Sequence, residues 1–149
     1  MMKVSLPSES EMVAFGVQCA PCIQPGQVIF LDGDLGAGKT TLSKGLLRGW
    51  GYEGVVTSPT FTLLESYELE TATVYHFDLY RMEQAEELEM IGARELFNPD
   101  SICLIEWPER AAGFLPAPDL RFTIEHLEDG RNIGIGGRAA AALEVCLNP

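Results

Sequence analysis

The stretch from Gly33 to Thr40, GDLGAGKT, has the residue types and the spacing of a phosphate-binding loop. Its glycines let the backbone curve around a phosphate group, so that successive N–H groups point inward. A helix that begins directly after such a loop adds the positive end of its dipole at the same place. The pattern therefore predicts a binding site for a nucleoside triphosphate.

The side chains of this loop have separate expected roles. Lys39 is expected to bridge the β- and γ-phosphates, the Thr40 hydroxyl to bind magnesium, and Thr41 to donate to an α-phosphate. The predicted nucleotide-binding residues are Asp34, Leu35, Gly36, Ala37, Gly38, Lys39, Thr40 and Thr41. A magnesium ion is thus part of the prediction.

Besides the loop residues, the site is expected to contain a carboxylate, and Glu106 is the candidate for it. A P-loop enzyme needs a carboxylate near its magnesium ion, usually at the end of a neighbouring apolar strand. Glu106 directly follows the apolar run ICLI. Two roles are open for it, as a ligand in the magnesium shell or as the general base that orients the attacking water. The alternative to both roles is that the strand reaches the protein surface at Glu106 and that this glutamate has no function.

Asp78 ends the run VYHFD in the same manner, although an aspartate also commonly leads into a turn. His76 lies two residues earlier, on the same face of the expected strand. A lone histidine is more often packed or hydrogen-bonded than catalytic. Asp78 is therefore a second candidate catalytic carboxylate, with a turn residue as the alternative, and His76 is better explained as a packed or hydrogen-bonded residue.

The loop VTSPTFT carries hydroxyl groups on both sides of a stiff proline. Its candidate residues are Thr57, Ser58, Pro59 and Thr60. A loop after the first helix is where switch segments meet the γ-phosphate and magnesium. An ordinary polar loop explains the same composition equally well.

The elements that would position these residues alternate between strands and helices. GQVIFLDG predicts a buried strand before the phosphate loop, GAGKTTLSKGLLRGWG a helix after it, and SICLIEW a second buried strand. TFTLLESYELE and TATVYHFDLYR predict an antiparallel pair. A capped helix over about 9–20, short helices broken at Gly92, a hairpin at Asp129-Gly130 and a last helix complete the chain. This order predicts one α/β domain over residues 1–149, with a mixed central sheet flanked by helices and antiparallel strand additions.

The net charge of the chain indicates which kinds of partner it can bind. The 149 residues include 10 basic and 22 acidic side chains, a formal net charge of −12. This argues against direct binding of nucleic acid by this chain alone, because Lys and Arg supply most of that affinity. It fits either solubility alone or docking onto basic partners.

Two further features concern the environment of the protein. No apolar run approaches the length of a membrane span, and the first residues lack the apolar core of a signal peptide, so we expect a cytoplasmic protein. Cys19 and Cys22 have CxxC spacing, but no second CxxC completes a zinc site. We expect reduced, structural thiols.

Taken together, these motifs resemble those of the TsaE (YjeE) family of small P-loop ATPases. The matching segments are GDLGAGKTTL, TSPTFTLLESY, HFDLYR, ELEMIGARELF and LIEWPER, which extend from about Val28 to Arg110. The resemblance implies a P-loop NTPase fold that binds ATP with Mg²⁺ and hydrolyses it slowly. It also implies a role in making threonylcarbamoyladenosine in tRNA, by acting on a TsaB–TsaD heterodimer, so that tRNA is reached only through the complex.

The same resemblance implies roles for single residues. Lys39 and Thr40 would bind nucleotide and metal, and Asp78 and Glu106 would be the acidic active-site positions. The SPTF loop and the residues Tyr80, Arg81 and Trp107 would belong to the same neighbourhood.

Three other classes of nucleotide-binding protein share the phosphate-binding loop. A small-molecule kinase usually carries arginines in a lid, and no arginine here lies in a lid-like segment. A guanine-specific GTPase would need an N-K-x-D motif, which the sequence lacks. A non-catalytic nucleotide-binding interaction module is the third.

Overall fold

The computed structural model describes residues 2–34, 36–57, 59 and 62–148. The predicted site residues Leu35, Ser58 and Thr60 lie outside the described residues. The strands and helices follow in the order β1 (Met2–Leu6), α1 (Glu9–Cys19), β2 (Val28–Asp32), α2 (Lys39–Gly49), β3 (Leu64–Glu68), β4 (Thr73–Asp78), α3 (Glu87–Met90), α4 (Ala93–Leu96), β5 (Ser101–Glu106), β6 (Leu120–Leu127), β7 (Gly130–Gly136) and α5 (Ala140–Leu147). Short 3-10 turns span Ala20–Cys22 and Pro108–Ala111.

The strands form one mixed sheet in the order β1-β7-β6-β2-β5-β4-β3. Its centre is parallel, because β2 pairs in parallel with both β5 and β6, and β5 pairs in parallel with β4. The outer strands are antiparallel: β3 to β4, β7 to β6 and β1 to β7. The predicted α/β fold with antiparallel additions is confirmed.

The register brings three strand ends to one edge of the sheet. Leu31, next to the end of β2, lies opposite Glu106, the last residue of β5. Asp78, the last residue of β4, lies opposite Glu106 on its other side. In sheets of this kind the crevice at the carboxyl ends of parallel strands is where ligands bind.

Two helices fix the position of the phosphate loop from one face of the sheet. The larger apolar core cluster joins α1 and α2 to the sheet, and a smaller cluster covers the opposite face with α3 and α4. The backbones of α1 and α2 touch at Gly16 and Gly45: a Cβ atom added at Gly45 would lie 2.3 Å from the carbonyl oxygen of Val13. Only glycine permits this approach, so α2 is held firmly in place.

Two observations depart from the sequence predictions. β1 was not predicted, although its alternation of apolar Met2, Val4 and Leu6 with polar residues is the signal of an outer strand. Cys22 is bonded to Cys146, not reduced, because the 3-10 turn after α1 and helix α5 bring their Cα atoms to 5.9 Å. This bridge joins residues that are 124 positions apart.

The other two cysteines are free and buried. Burial raises the pKa of Cys19 and of Cys103 to about 12, so both stay protonated. Cys19 and Cys22 are therefore not a redox pair with each other. Among the described residues, none of the helices has the length and apolar character needed to cross a membrane.

Candidate functional site

The predicted phosphate loop connects the end of β2 to the start of α2. Gly36 and Gly38 have φ values of 77° and 117°, in the left-handed region that favours glycine. Gly38 precedes Lys39, the first residue of α2, and the Ala37 N–H closes a turn onto the carbonyl of Asp34 at 3.0 Å. The backbone therefore turns sharply enough to present its N–H groups at a helix N-terminus.

Lys39 projects into a polar site in which it is only 5% exposed. Its Nζ donates a hydrogen bond of 2.6 Å to the Gly33 carbonyl and lies 3.6 Å from the centroid of the Trp107 ring. Burial lowers the pKa of Lys39, whereas the nearby carboxylates of Glu106 and Asp78 oppose this shift. A cation is thus held beside two acidic groups at the phosphate loop.

The acidic side of the site lies on β4 and β5. Asp78 and Glu106 are both buried and sit opposite each other in the sheet. Glu106 Oε2 lies 2.6 Å from Nε2 of His76, which is fully buried, and Asp78 Oδ1 accepts a hydrogen bond of 3.1 Å from the Tyr80 N–H. The carboxylate of Glu106 is therefore held inside the protein, not at a strand that merely surfaces.

A cavity of about 610 Å³ joins the loop to these carboxylates. Its lining consists of residues that the sequence had singled out: Gly36, Gly38, Lys39, Thr40, Thr41, Asp78, Tyr80, Arg81, Glu106 and Trp107. Four other predicted residues, Asp34, Ala37, Thr57 and Pro59, are described but do not line it. Pro59 is nevertheless connected to the site through Leu63. The Leu63 N–H donates a hydrogen bond to the Pro59 carbonyl, and the Leu63 carbonyl accepts one from the Asp78 N–H.

Aromatic side chains form one wall of this cavity. Trp107 follows Glu106 directly and has φ 58°, which a bulky residue rarely adopts. This backbone conformation turns the chain at the end of β5 and places the indole against Lys39 and 4.9 Å from the Tyr80 ring, centroid to centroid. A strained residue at a ligand-sized cavity is typical of a functional site.

A second cavity, of about 620 Å³, lies on the other side of the loop. It shares Gly36, Gly38 and Thr41 with the first and is otherwise lined by the α1 N-terminal region and the β6–β7 hairpin: Leu6, Pro7, Ser8, Glu9, Met12, Glu128, Asp129, Gly130 and Arg131. Arg131 Nε donates to the Ala37 carbonyl at 2.8 Å. The hairpin thus supports the phosphate loop from outside, a contact that the sequence did not reveal.

Asp32, the last residue of β2, is another carboxylate near the loop. It forms an ion pair with Arg121 of β6. This pairing ties β2 to β6 beside the phosphate loop, and Asp32 does not line the cavity of Lys39.

The donor set of the cavity fits a magnesium ion that completes its shell with phosphate. Mg²⁺ prefers oxygen ligands and is usually held by one or two carboxylates together with substrate phosphates. The cavity offers the carboxylates of Asp78 and Glu106 and the hydroxyl of Thr40. Across the described residues, no group of three or more His, Cys, Asp or Glu side chains forms a self-sufficient metal site.

The parallel strands, the glycine-rich loop and the helix that follows it define a P-loop NTPase fold. Comparison with known proteins is more specific. The family model described as "Threonylcarbamoyl adenosine biosynthesis protein TsaE" matches residues 6–133, and the chain belongs to this family.

Individual relatives agree with the family match. The protein named tRNA threonylcarbamoyladenosine biosynthesis protein TsaE from Haemophilus influenzae is 47% identical to this chain, over 86% of this chain and 84% of its own length. The protein of the same name from Bacillus subtilis is 40% identical, over 83% of this chain and 75% of its own length. The crystal structure of YdiB from Bacillus subtilis superposes with a TM-score of 0.81 at 32% identity, over 98% of this chain and 93% of that one.

Proposed function

We propose that this chain is a magnesium-dependent ATPase that supports threonylcarbamoyladenosine modification of tRNA by acting on a TsaB–TsaD type heterodimer. The observation that carries the proposal is the single cavity in which Lys39 of the phosphate loop lies with the buried carboxylates of Asp78 and Glu106. A structural loop without a ligand has no need for buried charges, since these are costly to remove from water.

The two cavities together suit the shape of a nucleoside triphosphate. The ligand is long and anionic at one end only, and both cavities meet at Gly36, Gly38 and Thr41. We place the phosphates with Lys39 and the nucleoside beside the hairpin, where Met12 offers apolar contact and Asp129 a carboxylate for hydroxyl groups. The N-terminus of α2 then faces the anionic end.

The residues of the first cavity would divide the chemistry. Lys39, which donates to Gly33 in this structure, would turn to the β- and γ-phosphates. Thr40 with Glu106 or Asp78 would hold a magnesium ion, which when bound neutralises charge on the phosphate oxygens. A water then attacks the γ-phosphorus, the bond to the bridging oxygen breaks, and a carboxylate that does not hold the metal takes the proton of the water.

The proposed pathway and partners have two supports. Membership of the TsaE family supports work in threonylcarbamoyladenosine biosynthesis. The net charge of −12 suits a protein that docks onto other proteins and reaches tRNA only through them. Hydrolysis would reset the partner complex between its catalytic cycles.

The decisive measurement is ATP turnover with and without the purified heterodimer. We expect slow turnover alone, stimulation by the heterodimer, and loss of the stimulated rate in Lys39→Ala. An assembled complex that hydrolyses no more ATP than its Lys39→Ala counterpart would refute the catalytic proposal and leave an interaction module. Fast phosphoryl transfer to a small metabolite, unaffected by the heterodimer, would instead indicate a kinase.

A further inference from the structure

His76 makes a contact in the core that its sequence position did not predict. It lies opposite Leu104 in the parallel pairing of β4 with β5, so Glu106 is two residues further along the neighbouring strand and on the same face. The imidazole is 0% exposed, and its Nε2 lies 2.6 Å from Glu106 Oε2. This distance is that of a short hydrogen bond.

The other ring nitrogen determines which way the hydrogen bond runs. Nδ1 of His76 is buried, and no described residue offers it a hydrogen-bond partner. A proton on Nδ1 would therefore be a buried donor without an acceptor, which is rarer and costlier than an unused lone pair. The proton of a neutral imidazole belongs on Nε2, where a carboxylate accepts it.

We propose that His76 is a positioning residue for Glu106. Its Nε2–H donates to Oε2 and fixes the rotation of the carboxylate, so that Oε1 is the oxygen left for the magnesium shell or the attacking water. The inference rests on the proposed ATPase function, which needs Glu106 at a defined place beside Lys39. Because the imidazole is fully buried on β4, the hydrogen bond to Glu106 does not depend on contacts with nucleotide.

Substitutions at His76 should affect turnover more than binding. His76→Leu fills much of the same space but donates no hydrogen bond, so the carboxylate can rotate. We expect kcat to fall about tenfold to a hundredfold, which is the scale of a small misplacement of a reacting group. KM for ATP should change less than about threefold, because the loop and Lys39 still bind the phosphates. His76→Gln places an amide N–H near the position of Nε2 and should recover part of the rate.

The hydrogen bond can be tested without nucleotide or metal. The chain has only two histidines, His76 and His126, and His126 is exposed on β6. Long-range ¹H–¹⁵N spectra of the ring nitrogens, recorded at one fixed pH and assigned with His126→Gln, should give His76 protonated at Nε2 and unprotonated at Nδ1. A proton found on Nδ1 with Nε2 bare would overturn the proposed orientation of the hydrogen bond.

The kinetic test separates this inference from the function on which it depends. Thermal unfolding first establishes that His76→Leu and His76→Gln are folded, and His126→Gln serves as the matched histidine control. If wild-type complex shows Lys39-dependent turnover and His76→Leu has the same kcat, the positioning role fails while the ATPase stands. If wild type itself shows no Lys39-dependent turnover, the proposed function fails and the positioning role fails with it, whatever the spectra show.

Discussion

Lys39 and Trp107 face each other at the phosphate loop, with the ammonium nitrogen 3.6 Å from the centroid of the indole ring. A contact of this kind is attractive, because the face of the ring carries the negative part of its quadrupole. The same nitrogen bonds to the Gly33 carbonyl. The lysine that would bind phosphate is therefore already held by two partners within the protein.

This contact makes Trp107 a reporter of nucleotide binding. ATP would draw the ammonium away from the ring towards its phosphates, so we expect the fluorescence of Trp107 to change on titration with ATP and magnesium. The chain has one other tryptophan, Trp50, whose indole N–H bonds to the Ala20 carbonyl and which does not line the cavity. The change should persist in Trp50→Phe and disappear in Trp107→Phe; a response retained in the latter contradicts the assignment.

A single substitution, Glu106→Gln, can separate the two roles that are open for Glu106. If the carboxylate orients water, Glu106→Gln should bind ATP with magnesium as wild type does, while partner-stimulated turnover falls about 10²-fold or more. If it holds the metal, magnesium should no longer increase the affinity for ATP in this variant. Titration calorimetry with and without magnesium, alongside turnover, distinguishes the two outcomes.

Glu106→Ala should be less stable than Glu106→Gln, because it leaves the buried Nε2–H of His76 without an acceptor. We expect a loss of about 1–3 kcal/mol in the free energy of unfolding. Urea denaturation of the two variants measures the difference. If partner-stimulated ATP turnover is unchanged in both Glu106→Ala and Glu106→Gln, Glu106 neither orients the attacking water nor holds the metal.

The contact between α1 and α2 predicts a large effect from a single methyl group. Gly45→Ala would place its Cβ against the Val13 carbonyl, where backbone atoms must move. We expect a loss of about 1–3 kcal/mol in the free energy of unfolding, the usual scale for an overpacked core. Arg48→Ala, on an exposed position of the same helix, is the control. Equal denaturation midpoints for the two variants would mean that the helices are not in backbone contact.

The disulfide predicts both a thiol count and a difference in stability. With Cys22 bonded to Cys146, unfolded protein should titrate two free thiols, from Cys19 and Cys103, and four after reduction. Because the bridge closes a loop of 124 residues, its reduction should lower the free energy of unfolding by about 2–4 kcal/mol. Cys146→Ser should match the reduced protein, and four thiols in carefully unreduced material would argue against the bridge.

The sequence predicted those parts of the site that depend on local patterns. The loop spacing places Lys39 at the start of a helix, and the apolar runs before Asp78 and Glu106 make each carboxylate a strand end. Parallel strands end at one edge of a sheet, so their meeting was predictable once the strands were recognised.

What the sequence could not supply are contacts between distant segments. His76 reaches Glu106 only through the register of β4 on β5, and no local pattern encodes a register between parallel strands. Arg131 reaches the loop from a hairpin more than ninety residues away, and none of its neighbours marks it among the other arginines. Cys146 likewise lies too far from Cys22 for spacing to suggest a pair.

The order of the sheet also has a consequence for how copies of the protein meet in solution. Within the part of the chain that the structure describes, the outer strands β1 and β3 each have one edge without a neighbouring strand, and each is only five residues long. β3 carries Glu65 and Glu68, so that two copies joined through this strand would bring like charges together, while β1 exposes Lys3. Short, charged edges of this kind oppose strand-by-strand growth into fibres. The acidic residues of the chain therefore also oppose aggregation at the free edge of the sheet, where another strand could otherwise pair.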